Sequence, residues 1–171
     1  MIRPAGPADA DAAARVYAES YPARFPDAYD TETLAVFMPF MLKPSEALLA
    51  SGRFYVLEEA GEVVACGGWS VDEPGTGSVV PGLGHIRHLA VLPGFEGRAL
   101  GRALVERCVS EARATGLTRM MVFASLNAEA FYARVGFTRI GEARWEIGAH
   151  ALISARMVMD ISRKTPRAFA R

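Results

Sequence analysis

An amphipathic helix between two apolar strands is the feature that most constrains the fold of this chain. Apolar side chains recur at every fourth position, at Leu100, Leu104, Cys108 and Ala112. This spacing predicts a helix over residues 98–115, between predicted strands at residues 85–91 and 120–124. A strand–helix–strand crossover makes its two strands parallel and is nearly always right-handed. Both carboxyl ends therefore point to the side at which open α/β sheets bind ligands.

The remaining elements extend this unit into a mixed α/β fold with the order β-α-α-β-β-β-α-β-α-β-β. We predict strands at residues 2–4, 54–59, 63–70, 85–91, 120–124, 137–147 and 152–161. We predict helices at residues 7–22, 31–41, 98–115 and 128–135, and a short helical turn at 45–51. Residues 1–162 form a single domain in this interpretation, with a mobile loop at 71–84 and a basic tail at 163–171.

Length and composition narrow the class of protein. The 171 residues suit one domain, and 19 basic residues balance 19 acidic ones. This balance gives no argument for a nucleic-acid or anionic-membrane partner. The apolar runs are too short to span a bilayer and no signal peptide is recognised, so we expect a cytoplasmic protein. Cys66 and Cys108 are isolated, so we expect two buried small side chains and no metal site.

The start of the central helix lacks the usual side-chain cap. Ser, Thr, Asp or Asn would accept a hydrogen bond from one of its first backbone N–H groups. This stretch carries three glycines and two arginines instead, at Gly94, Gly97, Gly101, Arg98 and Arg102. Unpaired N–H groups beside glycines and arginines favour a bound anion. The alternative, that the glycines only turn the chain and the arginines are solvated, stays open on these residues alone.

Two segments resemble the core of the GNAT-superfamily N-acetyltransferases. They are HLAVLPGFEGRALGRALVERCV and LTRMMVFASLNAEAFYARVGF. The second matches the family over eleven residues, at Asn127, Ala130, Phe131, Tyr132, Gly136 and Phe137. The similarity in element order extends from Ile2 to about Ile161. It implies a GNAT-like fold, in which a mixed, mostly antiparallel sheet with two central, splayed parallel strands is flanked by helices.

The first segment departs from the family pattern at two positions. The family has Gln or Arg where this chain has Glu96, and glycine where it has Ala99. A carboxylate near a bound phosphate is unfavourable, so we expect Glu96 to point away, toward Arg98. We expect Ala99 in helical backbone angles, where its methyl group only limits the approach of a phosphate. Weak coenzyme binding is the alternative.

The resemblance implies acetyl-coenzyme A (acetyl-CoA) as the acetyl donor and a primary amine, on a small molecule or a peptide, as the acceptor. The implied pyrophosphate contacts are the backbone N–H groups of Gly97, Arg98, Ala99, Leu100, Gly101 and Arg102. The pantetheine arm is implied to pair along Leu89, Ala90 and Val91, with the Val91 N–H stabilising the oxyanion. Asn127 is implied to bind this arm, to cap the following helix, or to do both.

The resemblance also assigns catalytic roles. Tyr132 matches the family tyrosine that protonates the leaving thiolate, although a core aromatic beside Phe131 is the other interpretation. His85 stands where many relatives have a glutamate base, so it is the first candidate for the base, followed by His88 and water. Strand alternation predicts His85 and Val91 on one face of the sheet and His88 on the other.

The predicted function is N-acetyl transfer by direct attack of the amine in a ternary complex, by a monomer or a homodimer. A non-catalytic acyl-CoA-binding or sensor module is the alternative, and a plain α/β scaffold is the third hypothesis. Candidate apolar residues of the acceptor pocket are Phe37, Met38, Phe40 and Met41. Candidate partners for a cationic amine are Asp27, Asp30, Asp72 and Glu73. The apolar side chains also suit a core, and the acids suit solvated loops.

Overall fold

The structure of the protein, a computed structural model, describes residues 1–162. The predicted tail at 163–171 lies outside the described residues. The strands are β1 (Ile2–Pro4), β2 (Phe54–Glu59), β3 (Glu62–Ser70), β4 (Leu83–Val91), β5 (Arg119–Ser125), β6 (Thr138–Ile147) and β7 (His150–Asp160). The helices are α1 (Ala10–Arg24), α2 (Thr31–Met41), α3 (Glu46–Ala50), α4 (Leu100–Ala114) and α5 (Glu129–Arg134). The predicted element order is confirmed, and α3 is the predicted short turn.

The described strands form one seven-stranded sheet in the order β1-β2-β3-β4-β5-β7-β6. β4 and β5 pair in parallel, and the other neighbouring strands pair antiparallel. Helix α4 connects the parallel pair, as the crossover argument requires. The predicted fold class, a mixed and mostly antiparallel sheet with a central parallel pair flanked by helices, is confirmed.

Helices α1 and α4 cover opposite faces of the sheet. Tyr17 of α1 lies against Cys66 of β3. Arg107 of α4 lies 5.2 Å above the ring of Tyr55, which pairs with Gly67 on β3. Because Cys66 and Gly67 are consecutive in the strand, their sides of the sheet are opposite. Both cysteines are buried and free, as predicted.

Helix α1 extends past its predicted end because its proline lies on an exposed face, and α2 keeps its predicted bounds, 31–41, with an exposed proline inside it. α1 passes through Pro22 to Arg24, and α2 contains Pro39. A proline removes one hydrogen bond to the carbonyl four residues earlier. Those carbonyls belong to the exposed Ala18 and Ala35, where water can replace the missing donor. Asp30 caps α2, because its side chain accepts a hydrogen bond from the Thr33 N–H.

The segment between β3 and β4 folds back on itself. Asp72 and Val79 form an isolated β-bridge, and the Glu73 N–H donates to the Ser78 carbonyl at 2.8 Å. Gly75 at its tip faces the ring of Trp145, since a Cβ on Gly75 would lie 2.6 Å from that ring. The predicted mobile loop is therefore a compact turn packed against β6.

Candidate active site

A cleft opens where β4 and β5 stop pairing. The two strands pair over three rows, Leu83 with Arg119, Gly84 with Met120 and His85 with Met121. Beyond these rows lies a cavity of about 550 Å³. Its walls are the ends of both strands, helices α1, α2 and α5, the turn before β4, and strands β6 and β7. The lining residues are Tyr21, Phe25, Phe37, Phe40, Met41, Pro74, Gly75, Ile86, Arg87, His88, Leu89, Val122, Phe123, Ala124, Ser125, Ala128, Tyr132, Trp145, Glu146, Ile147, Leu152 and Ser154.

A β-bulge at His88 changes which side chains of β4 lie on each face of the sheet. Cys66 pairs with Ala90 and Gly68 pairs with Arg87, so β4 has one residue more than β3 between these pairs. His88 has φ +51°, in the left-handed region. Because paired residues face the same side, Arg87 and Ala90 share the face of Cys66. The predicted alternation, which put His85 on the face of Val91 and His88 opposite, is therefore wrong.

The bulge leaves one edge of β4 open toward the cleft. The Leu92 N–H donates to the Val64 carbonyl of β3 at 2.9 Å. Because N–H groups alternate between the two edges of a strand, the Val91 N–H points to the opposite edge, toward the cleft. Leu89 has the same orientation as Val91 and lines the cavity, whereas Ala90 is buried and pairs with Cys66.

The start of α4 forms a cradle of backbone N–H groups. Gly97 has φ +73° and Ala99, the N-cap, has φ +61°. Within residues 1–162, no hydrogen bond satisfies the backbone N–H groups of Gly97, Arg98, Ala99, Leu100 or Gly101. Such a cradle at the N-terminus of a fifteen-residue helix suits a phosphate group. These residues therefore fit the pyrophosphate of CoA.

The backbone of Ala99 differs from the sequence expectation. Helical angles were expected there, but Ala99 adopts the left-handed region instead. The cause is the chain reversal from the loop into α4, a position that most favours glycine. An alanine in this region costs about 1–2 kcal/mol.

The charged side chains around this cradle are paired. Glu96 accepts hydrogen bonds from Arg24 at 2.8 Å and from the Gly94 N–H at 2.7 Å. Hydrogen bonds to the Glu96 carboxylate from its own backbone N–H, from Arg24 and from the Gly94 N–H lower the pKa of Glu96. Arg98 pairs with Glu59 at 2.7 Å. The expected contact between Glu96 and Arg98 is therefore wrong, and the Glu96 charge is balanced by Arg24 of α1.

Packing explains the glycine at position 101. A Cβ on Gly101 would lie 3.2 Å from the ring of Phe131 and 3.7 Å from Val91. The glycine therefore lets α4 approach α5 closely. Arg102, one residue later, donates to the Arg134 carbonyl of α5 at 3.4 Å.

Tyr132 packs against two other aromatic side chains and also lines the cavity, a position that suits both interpretations that the sequence left open. Its ring packs edge-on against Phe131 at 5.0 Å and Phe137 at 5.5 Å between centroids. Tyr132 also lines the cavity. Burial raises its pKa, so the phenol keeps its proton at neutral pH. The side chain is a packed aromatic that presents one polar group to the cleft.

The two histidines of β4 lie in different environments. His85 is buried and stacks on Phe123 at 6.2 Å between ring centroids. Its Nδ1 has no hydrogen-bond partner within the described residues, and burial lowers its pKa. His85 is not among the described residues that line the cavity, whereas His88 is. Burial lowers the pKa of His88 to about 4, so its imidazole is neutral at pH 7.

Asn127 does not cap α5. It lies inside the 3-10 turn Leu126–Ala128, and the N-cap of α5 is Ala128, without a side-chain bond. The extra turn moves the helix start past the predicted cap. Asn127 is exposed at this turn, which leaves its amide accessible to a ligand.

Two contacts that support the cleft were not predicted. The Tyr29 hydroxyl donates to the Ile153 carbonyl at 2.7 Å and accepts from the Leu126 N–H at 2.9 Å. Tyr29 thereby joins the end of β5 to β7. The Trp145 indole donates to the Ser154 hydroxyl at 2.9 Å, and its ring meets Phe123 edge-on at 5.2 Å. Both aromatics lie outside the recognised motif, and they contact residues that are not their neighbours in sequence, so no local pattern indicates them.

The apolar and the acidic candidates for the acceptor pocket differ in whether they line the cavity. Phe37, Phe40 and Met41 line the cavity as predicted, whereas Met38 packs against the core. None of the four predicted acids lies among the described lining residues, which contain one acid, Glu146.

Neither a metal-ion site nor a membrane-spanning helix is found within residues 1–162. No group of three or more His, Cys, Asp or Glu side chains is placed to hold a metal ion. No helix in the same range has the length and apolar character needed to cross a membrane.

The sequence model of the Acetyltransferase (GNAT) family matches residues 11–137. The chain therefore belongs to this family and is an acetyl-CoA-dependent acyltransferase by class. It is 32% identical to the IAA acetyltransferase of Azospirillum brasilense over 130 residues. This alignment covers 74% of this chain and 72% of the relative.

Solved structures show the same fold. A GCN5-related N-acetyltransferase from Rhodopseudomonas palustris has a TM-score of 0.77 at 23% identity, with 94% of each chain covered. The PaiA N-acetyltransferase of Thermoplasma acidophilum, in complex with coenzyme A, has a TM-score of 0.71 at 12% identity. That comparison covers 94% of this chain and 98% of the other.

The strained alanine at the cradle predicts an unusual response to glycine. Ala99→Gly should leave the melting temperature unchanged or raise it, because glycine adopts φ +61° without a steric penalty. Ala103→Gly, inside α4, is the matched control and should cost about 1 kcal/mol. Thermal unfolding of both variants measures this difference. Equal losses would show that Ala99 is not strained.

Burial of the neutral His88 predicts a loss of stability in acid. Its pKa is about 4 in the folded chain and about 6.5 in an unfolded one. The unfolded chain therefore binds more protons between these pH values, and the free energy of unfolding should fall by about 1–3 kcal/mol from pH 7 to pH 4. Asparagine tolerates positive φ, so His88→Asn should keep the fold and flatten this dependence.

Denaturant titrations at several pH values measure the difference between the two proteins. Burial also lowers the pKa of His85, which therefore contributes to the pH dependence of both the wild type and His88→Asn. The difference between the two proteins isolates the contribution of His88. Parallel curves for the two proteins would contradict the buried, neutral state of His88.

Proposed function

We propose that the chain transfers an acetyl group from acetyl-CoA to a primary amine, by direct attack in a ternary complex. The observation that carries this proposal is the row of unpartnered backbone N–H groups from Gly97 to Gly101, directly after the open edge of β4. One end of a bound CoA requires an anion site, and the other requires an extended edge with free N–H groups. This chain offers both in sequence and at the same mouth of the cleft.

The residues of the cradle and of β4 bind the donor in this proposal. The N–H groups of residues 97–102 bind the pyrophosphate, with the arginines at 98 and 102 beside it. The pantetheine arm extends along Leu89, Ala90 and Val91 as an additional strand. Asn127, exposed at the opposite side of the mouth, donates to the arm.

The Val91 N–H stabilises the oxyanion. The amine nitrogen attacks the thioester carbonyl carbon, and its oxygen becomes negatively charged in the tetrahedral intermediate. A backbone N–H directed into the cleft is already oriented for this charge. The amide forms when the C–S bond breaks and the sulfur leaves as a thiolate.

The amine enters this reaction as the free base. An alkylammonium with a pKa of about 10.4 is neutral in about one molecule per thousand at pH 7. His88, with a pKa of about 4, is too weak a base to hold this proton. The ammonium therefore loses one proton to bulk solvent before it attacks, and the nitrogen releases a second proton to solvent as the amide forms. The neutral ring of His88 accepts a hydrogen bond from the attacking nitrogen. His85, the first candidate in the sequence, stacks on Phe123, which lines the cavity, and is not itself among the described lining residues.

Tyr132 assists departure of the thiolate. Because burial raises its pKa, the phenol is a weaker acid than the thiol of CoA, at about 8.5. Tyr132 therefore donates a hydrogen bond to the developing thiolate, and the final proton comes from water. This interaction forms mainly in the transition state.

Replacing the hydroxyl of Tyr132 tests the proposal. Tyr132→Phe should reduce kcat by about a hundredfold and leave CoA affinity and melting temperature nearly unchanged, because the ring contacts remain. The readouts are thiol release from acetyl-CoA with a panel of amines, calorimetric titration with CoA, and thermal unfolding.

Tyr55→Phe, on β2 beneath Arg107, is the matched control and should keep wild-type turnover. Equal turnover of the two variants would remove Tyr132 from the mechanism. Tight CoA binding with no acetylated amine in the panel would favour the acyl-CoA-binding module over the enzyme.

A further inference from the structure

The acceptor end of the cavity has aromatic walls. Phe37 of α2, Phe123 of β5 and Trp145 of β6 line it, with Phe123 and Trp145 in edge-on contact. Ser154 accepts the indole N–H of Trp145, so Trp145 presents only its ring to the cavity. These walls suit an apolar or aromatic group about the size of an amino-acid side chain.

One cation interrupts this apolar lining. Arg87 of β4 lines the cavity, and its side chain is only 16% exposed. Its Nη1 donates to the Ser70 hydroxyl at 2.8 Å and lies 3.5 Å from a carboxylate oxygen of the half-exposed Asp72. Its Nε and Nη2 have no hydrogen-bond partner within residues 1–162. One side of the guanidinium fork is therefore available to a ligand.

The ion pair with the half-exposed Asp72, at 3.5 Å, offsets part of the Arg87 charge, and the titratable side chains of the lining do not offset the rest. Glu146 pairs with Arg144 at 2.7 Å. His88 is neutral at pH 7 because its pKa is about 4. The pair with Asp72 uses Nη1, so Nε and Nη2 of Arg87 can still attract a carboxylate on the acceptor. Arginine binds a carboxylate through two parallel N–H···O bonds, which also fixes its orientation.

We propose that the acceptor is an amino carboxylate with an apolar or aromatic side chain, and that Arg87 binds its carboxylate. The side chain packs between Phe123 and Trp145, and the amine reaches the cleft beside His88. This assignment rests on the proposed acetyl transfer for the amine, but the carboxylate site itself requires no turnover. Arg87 is then a residue that determines acceptor specificity.

Binding of two matched acetylated products tests the site without catalysis. The probes are N-acetyl-L-phenylalanine and its uncharged analogue N-acetyl-L-phenylalaninamide, titrated by calorimetry into the full chain saturated with CoA. The acid should bind at least tenfold more tightly than the amide, because one charge-assisted bidentate contact distinguishes them. Arg87→Met should remove this preference, and Arg139→Met, on β6 with partners Glu129 and Glu142, should keep it.

Arg87→Lys provides a second variant if Arg87→Met unfolds, since it keeps the charge without the planar fork. It should retain part of the preference for the acid. Equal binding of the acid and the amide to the wild-type protein would overturn the assignment, as would a preference that stays undiminished in every folded Arg87 variant.

Turnover separates this inference from the proposed function. L-phenylalanine and L-phenylalaninamide are assayed as acceptors with acetyl-CoA, in the wild type and in the Arg87 variants. Preferential binding of the acid without acetylation of any amine would support the carboxylate site and contradict the acetyltransferase. Acetylation of amines with equal binding of the acid and the amide would support the acetyltransferase and contradict the carboxylate site.

Discussion

The separation of β4 from β5 is the constraint on which the site depends. Two neighbouring parallel strands would normally continue to pair, because unpaired backbone groups are costly when buried. Here pairing ends after the His85–Met121 row, and the bulge at His88 follows within three residues. β4 remains attached to β3 beyond the bulge, through Ala90 and Cys66. One edge of β4 is therefore held while the other stays open to a ligand.

Contacts around the cleft hold this open arrangement in place. Tyr29 joins the end of β5 to β7 through two hydrogen bonds, one donated and one accepted. Arg24 at the end of α1 pairs with Glu96 in the loop before α4. Gly101 lets α4 approach α5, so the helix N-terminus stays at the mouth of the cleft. Each contact joins elements distant in sequence, which makes the cleft a property of the whole fold.

The sequence predicted the element order, the crossover and the uncapped helix start because each depends on local spacing. The facing of His85 could not be predicted, since the bulge appears only when β4 is paired against β3. The backbone of Ala99 follows from the chain reversal into α4, which alanine does not indicate. Glu96 pairs with an arginine 72 residues away, beyond the reach of any local pattern. That Trp145 and Arg87 line the cavity could not be predicted either, because strands β6 and β4 meet there only in the folded sheet.

The most direct test of the central claim is amide NMR of the ¹⁵N-labelled protein titrated separately with CoA and with pantetheine, which lacks the pyrophosphate. CoA should shift the amide signals of residues 97–101 and those of Leu89 and Val91. Pantetheine should shift only Leu89 and Val91, because the α4 cradle binds phosphate and the β4 edge binds the arm. Binding of CoA that leaves the amides of residues 97–101 unshifted would contradict this account.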